Sequence, residues 1–477
     1  MELLTLNEGK TLEFKRDLSS PKNLLKTLVA FANTSGGRAI IGVDDRTKQP
    51  IGVEFPLDEE ERLSNLIADS ISPRLVPNIE MVTVNERTLL IVEVYLSNSR
   101  PHYLQAEGAE RGVYVRLGSS NRLADRELIA EMRRSVEGIA FDEMPIPDLS
   151  ISDLDLGVIK KWFGDRRELD EQGLLTLKLL RREQGKLVPT RGAILLFGKD
   201  RIFHFPDAWV QCGRFVGNDK AVIFDHIELY EPLPQLVDSI MLFLKKHAMR
   251  GADFSGVQRR DVWSIPLGIL REAVINALVH ADYSQRGAPI RIAFFDDRIE
   301  IENPGILLSG MTIEDMKQGI SKIRNPVVAR VFRELNLIEQ WGSGVRRMFR
   351  EAEELGLPSP EIIEIGLRLR FIVHLAEPVA TRNLIAGLES GLESGLESEM
   401  SKTVLHMLAN KPLQRSEIAK ALAHGRVSGA VNRAVKELIT KRLIEYTIPD
   451  KPNSRLQKYR LTPTGQALLV KEKNRHE

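Results

Sequence analysis

The feature that most constrains this chain is a tract near its C-terminal end, residues 387–398, in which Gly-Leu-Glu-Ser occurs three times in succession. Twelve residues with a period of four hold too few apolar side chains to build a core, so one continuous globule cannot run through this point. Residues 379–400 read as a linker; Leu388, Leu392 and Leu396, at i, i+4 and i+8, leave a helical contact stripe open instead. Charge divides at the same place. Residues 401–477 hold 16 Lys/Arg against 6 Asp/Glu, a net of +10, so the 400 residues before them are near −9 in a chain whose total is +1. A basic tail of this kind points to a polyanionic partner, although a merely solvated basic surface also fits. The single cysteine, Cys212, excludes an intramolecular disulfide and a cysteine-rich zinc site, and it fits a reducing compartment. No apolar run approaches the ~20 residues that span a bilayer. Met1-Glu2-Leu3-Leu4-Thr5 has no basic n-region, so a cytoplasmic chain with no membrane partner is expected.

At ~150 residues per domain, 477 residues allow about three domains. Residues 1–140 alternate helix and strand: an apolar helix over Lys22–Asn33 stopped by Gly36-Gly37, a strand Ala39–Val43, a hairpin turning at Asn85-Glu86-Arg87, a strand Val113–Leu117 and a helix Ala124–Val136. Met144-Pro145-Ile146-Pro147 is a boundary. A connecting α/β region, 148–260, opens helically around Leu154–Phe163 and Leu174–Leu180. It then shows Gly192-Ala193-Ile194-Leu195-Leu196-Phe197-Gly198, which reads as a buried strand between glycines. Residues 261–378 alternate again, with Ile290–Phe295 and Arg298–Ile301 as strands around Asp296-Asp297. The expected class is therefore multidomain, α/β and α+β.

If Leu12–Lys15 is extended, Glu13 and Lys15 share one face and Phe14 enters the core. Asp44 ends the next strand. Glu8, Glu13 and Asp44 with Lys15 are the groups that phosphodiester hydrolysis needs, namely oxygen ligands for Mg²⁺ or Mn²⁺ and a cation beside the phosphate. The same residues also fit a set of surface ion pairs. Glu8-Gly9-Lys10-Thr11-Leu12-Glu13-Phe14-Lys15, Phe31-Ala32-Asn33-Thr34-Ser35-Gly36-Gly37, Ile41-Gly42-Val43-Asp44-Asp45 and Tyr114-Val115-Arg116-Leu117-Gly118-Ser119-Ser120-Asn121, in that order, resemble the Schlafen/AlbA-type domain. That resemblance implies nucleic-acid binding. By analogy with eukaryotic Schlafen proteins it also implies metal-dependent cleavage of RNA by Glu8, Glu13 and Asp44. The Cys/His zinc site usual in Schlafen cores is missing from this sequence.

Glu272 and Asn276 lie four apart on an apolar helix after Pro266, with His280 continuing the row. A carboxylate that activates water and an amide oxygen that holds Mg²⁺ suit that spacing, as does a plain solvated stripe. Glu302-Asn303-Pro304-Gly305 follows a strand, and Gly342-Ser343-Gly344 precedes a helix whose N-terminal amides would cradle phosphate. This order resembles the GHKL ATPase fold, an α/β sandwich, and more closely the ATP-binding C-terminal domain of "RecG-like" bacterial regulators. Pro189–Gly198 matches the segment that precedes it. The resemblance implies ATP as cofactor, held by Asn276, Asn303, Gly305, Gly342 and Gly344, with Glu272 catalytic and Asn276 on the metal. Asn303 stands where that fold usually has an aspartate, and no GxxxxGK[ST] loop is present.

The tail reads as helices Ser401–Ala409, Ser416–Leu422 (capped by Ser416) and Ser428–Thr440, then a hairpin Leu443–Ile448 with Gln457–Leu461, the pattern of a winged helix-turn-helix. Arg426, Ser428, Asn432, Arg433 and Lys436 suit a DNA groove, and Lys451, Arg455 and Lys458 suit phosphates; a protein-binding winged helix also fits. Together these features predict an ATP-binding, DNA-binding transcriptional regulator. An ATP-gated metal-dependent nuclease and an ATP-sensing scaffold are the alternatives. Duplex DNA and RNA are the candidate nucleic acids, and a homo-oligomer is left open.

Overall fold

The computed structural model describes residues 2–164, 169–253, 260–338, 344–375, 399–409, 411–422, 429–440, 443–447, 457–462 and 465. Two compact units divide the chain, Met1–Val379 and Ala380–Glu477. The Gly-Leu-Glu-Ser tract lies outside the described residues.

The first 140 residues are built on β1 (Leu12–Lys15), α1 (Pro21–Asn33) and β2 (Gly37–Ile41). β1 and β2 pair in parallel, which requires a crossover, and α1 is that crossover. Leu24, Leu28, Val29 and Phe31 of α1 are buried against the sheet. The helix is stopped by Gly36, whose φ of +75° and contact with the Val94 carbonyl (2.8 Å from where a Cβ would stand) suit glycine alone. The hairpin β3 (Asn78–Val84) and β4 (Arg87–Val94) turns at Asn85 and Glu86 and completes a sheet of order β1-β2-β4-β3. A second hairpin, β5 (Tyr114–Leu117) and β6 (Ser120–Leu123), leads into α2 (Arg126–Val136). Asp125 caps that helix by accepting from Leu128 N at 2.8 Å.

The Gly192–Gly198 run is a helix, α3 (Arg191–Phe197), where the sequence reading had a strand. A short, wholly apolar run carries no period of its own. Thr190 decides it by capping: its hydroxyl oxygen accepts from Ala193 N at 3.2 Å. Gly192 lets the helix start press onto Val327, whose Cβ lies 2.7 Å from where a Gly192 Cβ would stand. The helix expected over Leu174–Leu180 is likewise shorter, Glu171–Thr176, and Leu180 begins a strand. Beyond α3, a six-stranded sheet has the order β8-β7-β9-β10-β12-β11, formed by β7 (Val210–Phe215), β8 (Ile223–Leu229), β9 (Ile290–Phe294), β10 (Arg298–Pro304), β11 (Glu361–Ile365) and β12 (Arg368–His374). Only β7 and β9 run parallel. The helices α4 (Leu233–His247), α5 (Leu267–His280), α6 (Pro326–Glu334) and α7 (Gly344–Glu354) share one apolar core with this sheet. Among the described residues no helix is long and apolar enough to cross a membrane.

The second unit has α8 (Glu399–Leu408), α9 (Arg415–Ala421), α10 (Gly429–Thr440) and an antiparallel pair, β13 (Ile444–Tyr446) with β14 (Tyr459–Leu461). Val404, Leu405, Ile418, Val431, Val435 and Leu438 form its core. Gln414, rather than Ser416, begins α9, through a capping box with Glu417.

The boundary segment is anchored by one carboxylate. Asp142, fully buried, accepts from Val327 N at 2.7 Å and Val328 N at 3.0 Å, in the first turn of α6, which its own N-cap Asn325 leaves uncapped. Burial pushes the Asp142 carboxyl up to about 7, against the pull of those two amides. A folded-state value above the ordinary 3.8 means that the unfolded chain gives up this proton first. Stability from this group is therefore complete below pH about 4 and is lost as pH rises toward about 7. Asp142→Asn keeps an acceptor for the amides and removes the titration. Its melting temperature should vary less between pH 4 and 7 than that of the unaltered chain, and parallel pH profiles would refute the assignment.

Candidate functional site

A cavity of about 210 Å³ opens between α5, β10, α7 and the segment that follows β10. Glu272 and Asn276 stand on the same face of α5, as their spacing requires, and Asn276 Nδ2 donates to Glu272 Oε1 at 3.3 Å. This leaves Oδ1 as the acceptor of the amide. Asn303, 5% exposed, reaches the wall from β10 with Nδ2 donating to the Pro304 carbonyl at 3.0 Å. Its neighbour Glu302 is outside the wall and is held by Arg368 (2.5 Å) and Arg370 (2.7 Å), as strand alternation dictates. Ala273, Ala277, Ile301, Leu369 and Phe371 make the apolar part of the wall, and Lys322, Arg324, Arg333 and Arg347 bring positive charge to it. His280 closes the α5 row. Burial, with the Arg324 guanidinium beside it, pushes its imidazole down to about 4, so it is neutral at pH 7.

The start of α7 faces Glu272. A Cβ on Gly344 would overlap Glu272 Oε1, and Arg347, one turn on, donates to Oε2 at 3.1 Å. The reverse contact exists at the start of α5, where a Cβ on Gly268 would stand 2.5 Å from Glu351 Oε1. Each of these two helices therefore begins with a glycine against a carboxylate of the other, an anion placed where a helix start favours one. Gly305, expected to bind nucleotide, is not on the cavity wall. It has φ +97° and makes room for the Arg324 side chain. Gly342 lies outside the described residues.

The N-terminal carboxylates have separate partners. β1 places Phe14 in the core at 0% exposure and Glu13 beside Lys15, with Nζ 2.5 Å from Oε1. The other oxygen of Glu13 takes Arg116 Nη2. Arg116, 1% exposed, also donates to the Gly9 carbonyl (3.0 Å) and Asn121 Oδ1 (2.9 Å) and lies over the Phe31 ring. Glu8 accepts from Phe14 N at 2.8 Å. Asp44 closes a turn by accepting from Thr47 N and Arg46 N, and the Thr47 amide and hydroxyl hold its carboxyl below the ordinary value. A set of unrelieved carboxylates would have raised it. Among the described residues no group of three or more His, Cys, Asp or Glu is placed to hold a metal ion. Among the described residues Glu8, Glu13 and Asp44 thus go to separate partners: the Phe14 amide for Glu8, Lys15 and Arg116 for Glu13, and a turn with Arg16 for Asp44.

Arg116, Arg324 and Arg347 were missed as site residues from sequence. The one available signal was Arg116, a charge in a strand between Val115 and Leu117, both buried. In the second unit Asn432, Arg433 and Lys436 fall on α10, and Lys458 adjoins β14, where its amide and carbonyl bond Thr447. Arg426, Ser428, Lys451 and Arg455 lie outside the described residues.

Residues 8–125 match the Schlafen, AlbA_2 family profile, 287–373 match "Putative ATP-dependent DNA helicase recG C-terminal", and 399–462 match the C-terminal domain of Fic-like (filamentation induced by cAMP) proteins. The N-terminal domain of a "putative ATP-dependent DNA helicase RecG-related protein" from Nitrosomonas europaea is 30% identical, over 25% of this chain and 90% of that one, with a TM-score of 0.22. The DIP2311 protein of Corynebacterium diphtheriae is 22% identical, over 97% of this chain and 94% of that one, with a TM-score of 0.42. No curated protein matches the chain. The modules are thus of a nucleic-acid-related type and an ATPase type. The chain thus carries a Schlafen AlbA_2 domain and, further along, a domain of the RecG C-terminal type.

Removing one partner of a buried ion pair costs about 3–5 kcal/mol, because the other charge stays behind. Arg116→Met should therefore lower the midpoint of urea unfolding strongly. Adding Glu13→Gln should restore part of the loss, since the two changes share one interaction. Additive losses in a double-mutant cycle would mean that the pair is not coupled.

Proposed function

We propose that this chain is an ATP-binding regulator of transcription, with nucleotide held in the α5–β10–α7 cavity of a GHKL-like domain and duplex DNA held by a winged helix in the second unit. The observation that carries the reading is the convergence of Glu272, Asn276, Asn303 and the start of α7 on one cavity. Its apolar wall suits a base, and Asn303 Oδ1 suits an exocyclic amine. Arg347, Lys322 and the first amides of α7 suit phosphates. Asn276 Oδ1 would hold Mg²⁺, which when bound would neutralise phosphate charge. Glu272 is the carboxylate that would take a proton from water, and Arg347 holds it in place. Supporting the DNA reading are the net charge of +10 over residues 401–477 and the order of three helices followed by an antiparallel pair. The N-terminal domain contributes nucleic-acid binding.

Two measurements test this reading. Millimolar ATP with Mg²⁺ should raise the melting temperature, since a ligand of the native state stabilises it in proportion to ln(1 + [L]/Kd). Asn276→Ala should shrink that rise, and a chain indifferent to ATP has no working nucleotide site. Affinity for a DNA duplex should fall with salt at about 0.9 log units per log unit of salt for each phosphate contacted. Deletion of residues 401–477 should remove most of that slope, and an unchanged slope rejects the tail as the DNA-binding part.

A further inference from the structure

One segment belongs both to the cavity and to the N-terminal domain. Ile306, Leu307, Leu308 and Met311 line the cavity. Ile306 is also a buried member of the core made by Val113, Val115, Leu117, Leu128 and Met132 of the N-terminal domain. The next residues bond directly to the end of α1: Ser309 Oγ donates to the Asn33 carbonyl (3.0 Å), Gly310 N to the Thr34 carbonyl (2.6 Å), and Ser35 Oγ to the Met311 carbonyl (3.1 Å). Gly310 has φ +80°, and a Cβ there would meet Leu96 Cδ2 at 2.8 Å, so the fit leaves no room for a side chain.

Two routes lead from this segment to the same cluster. Through α1, Thr34 Oγ1 accepts from Arg116 N at 2.9 Å, and Arg116 grips Glu13. Through β11, Glu364 Oε1 accepts from Leu307 N at 2.9 Å while Lys10 Nζ bonds both oxygens of Glu364 at 2.8 Å. Lys10 follows Gly9, whose carbonyl takes Arg116 Nε. A displacement of the cavity wall therefore cannot stay local: it breaks these bonds or carries Thr34, Lys10 and Arg116 with it. Networks of this kind transmit coupling where the two ends share one rigid element.

Resting on the nucleotide reading above, we propose that occupancy of the cavity sets the arrangement of the Glu13–Lys15–Arg116 cluster on the N-terminal domain through the Ile306–Met311 wall, with Lys10 as a positioning residue. Nucleotide thereby regulates how that domain presents itself to nucleic acid. Linkage makes the effect mutual, so nucleic acid bound to that domain alters nucleotide affinity by the same factor.

Hydrogen exchange of the full chain with and without ATP and Mg²⁺ tests this. Three amides report along the routes: Gly310 N on Thr34, Arg116 N on the Thr34 hydroxyl and Phe14 N on Glu8. ATP should change exchange severalfold in peptides over 272–280 and 303–324, and also in those over 8–16 and 113–121. Lys10→Met should preserve the ATP effect at 272–280 and diminish it at 8–16, which a merely stabilising lysine would not do. Changes confined to the cavity peptides overturn the coupling and leave the nucleotide reading standing. No change anywhere, with millimolar ATP, overturns both.

Discussion

The first unit depends on one guanidinium. Arg324 is 7% exposed, and a charge so far from water must find an acceptor for each of its N–H groups. Glu131 on α2 takes Nε at 2.7 Å, the His280 carbonyl at the end of α5 takes Nη1 at 2.9 Å, and the Ile306 carbonyl takes Nη2 at 2.7 Å. Three parts of the chain that are far apart in sequence are thereby held at fixed distances: the last helix of the N-terminal domain, the helix bearing Glu272 and Asn276, and the wall of the cavity. Gly305 belongs to the same arrangement, since any side chain there would occupy the space of the guanidinium.

What was legible in the sequence was local. Alternation put Phe14 in the core and Glu13 beside Lys15, and a four-residue interval put Glu272 and Asn276 on one face of a helix. The hairpin at Asn85-Glu86 announced itself by its turn residues. What was not legible depended on distance along the chain. Glu13 meets Arg116 across 103 residues, Arg324 meets Glu131 across 193, and Asp142 meets the amides of α6 across 185 or more. No local period encodes such pairs. The Gly192–Gly198 run failed for a different reason: a fully buried helix and a fully buried strand have the same apolar composition, and the deciding residue lay two positions before the run, in Thr190.

The two acidic clusters also show why residue type alone underdetermines chemistry. Glu13, buried, and Glu272, partly buried, are both carboxylates with an arginine partner. Glu13 is closed in by a second cation and by the ring and backbone around Arg116, so its charge is used to hold a strand, a loop and a hairpin together. Glu272 borders a cavity and is itself met by Arg347, the Asn276 amide and a helix start, and so keeps an open side. The difference lies in what stands opposite each carboxylate, which only the fold determines.

The glycines at the starts of α5 and α7 restrict how the cavity can change shape. Each admits a carboxylate of the opposite helix at a distance no other residue would allow. If α7 slid along α5 by one turn, about 5.4 Å, both carboxylates would leave the helix starts together and side chains would collide in their place. A rotation about the two contacts keeps both. The wall formed by α7 is thus built to pivot rather than to slide, and its axle passes through two residues that have no side chain.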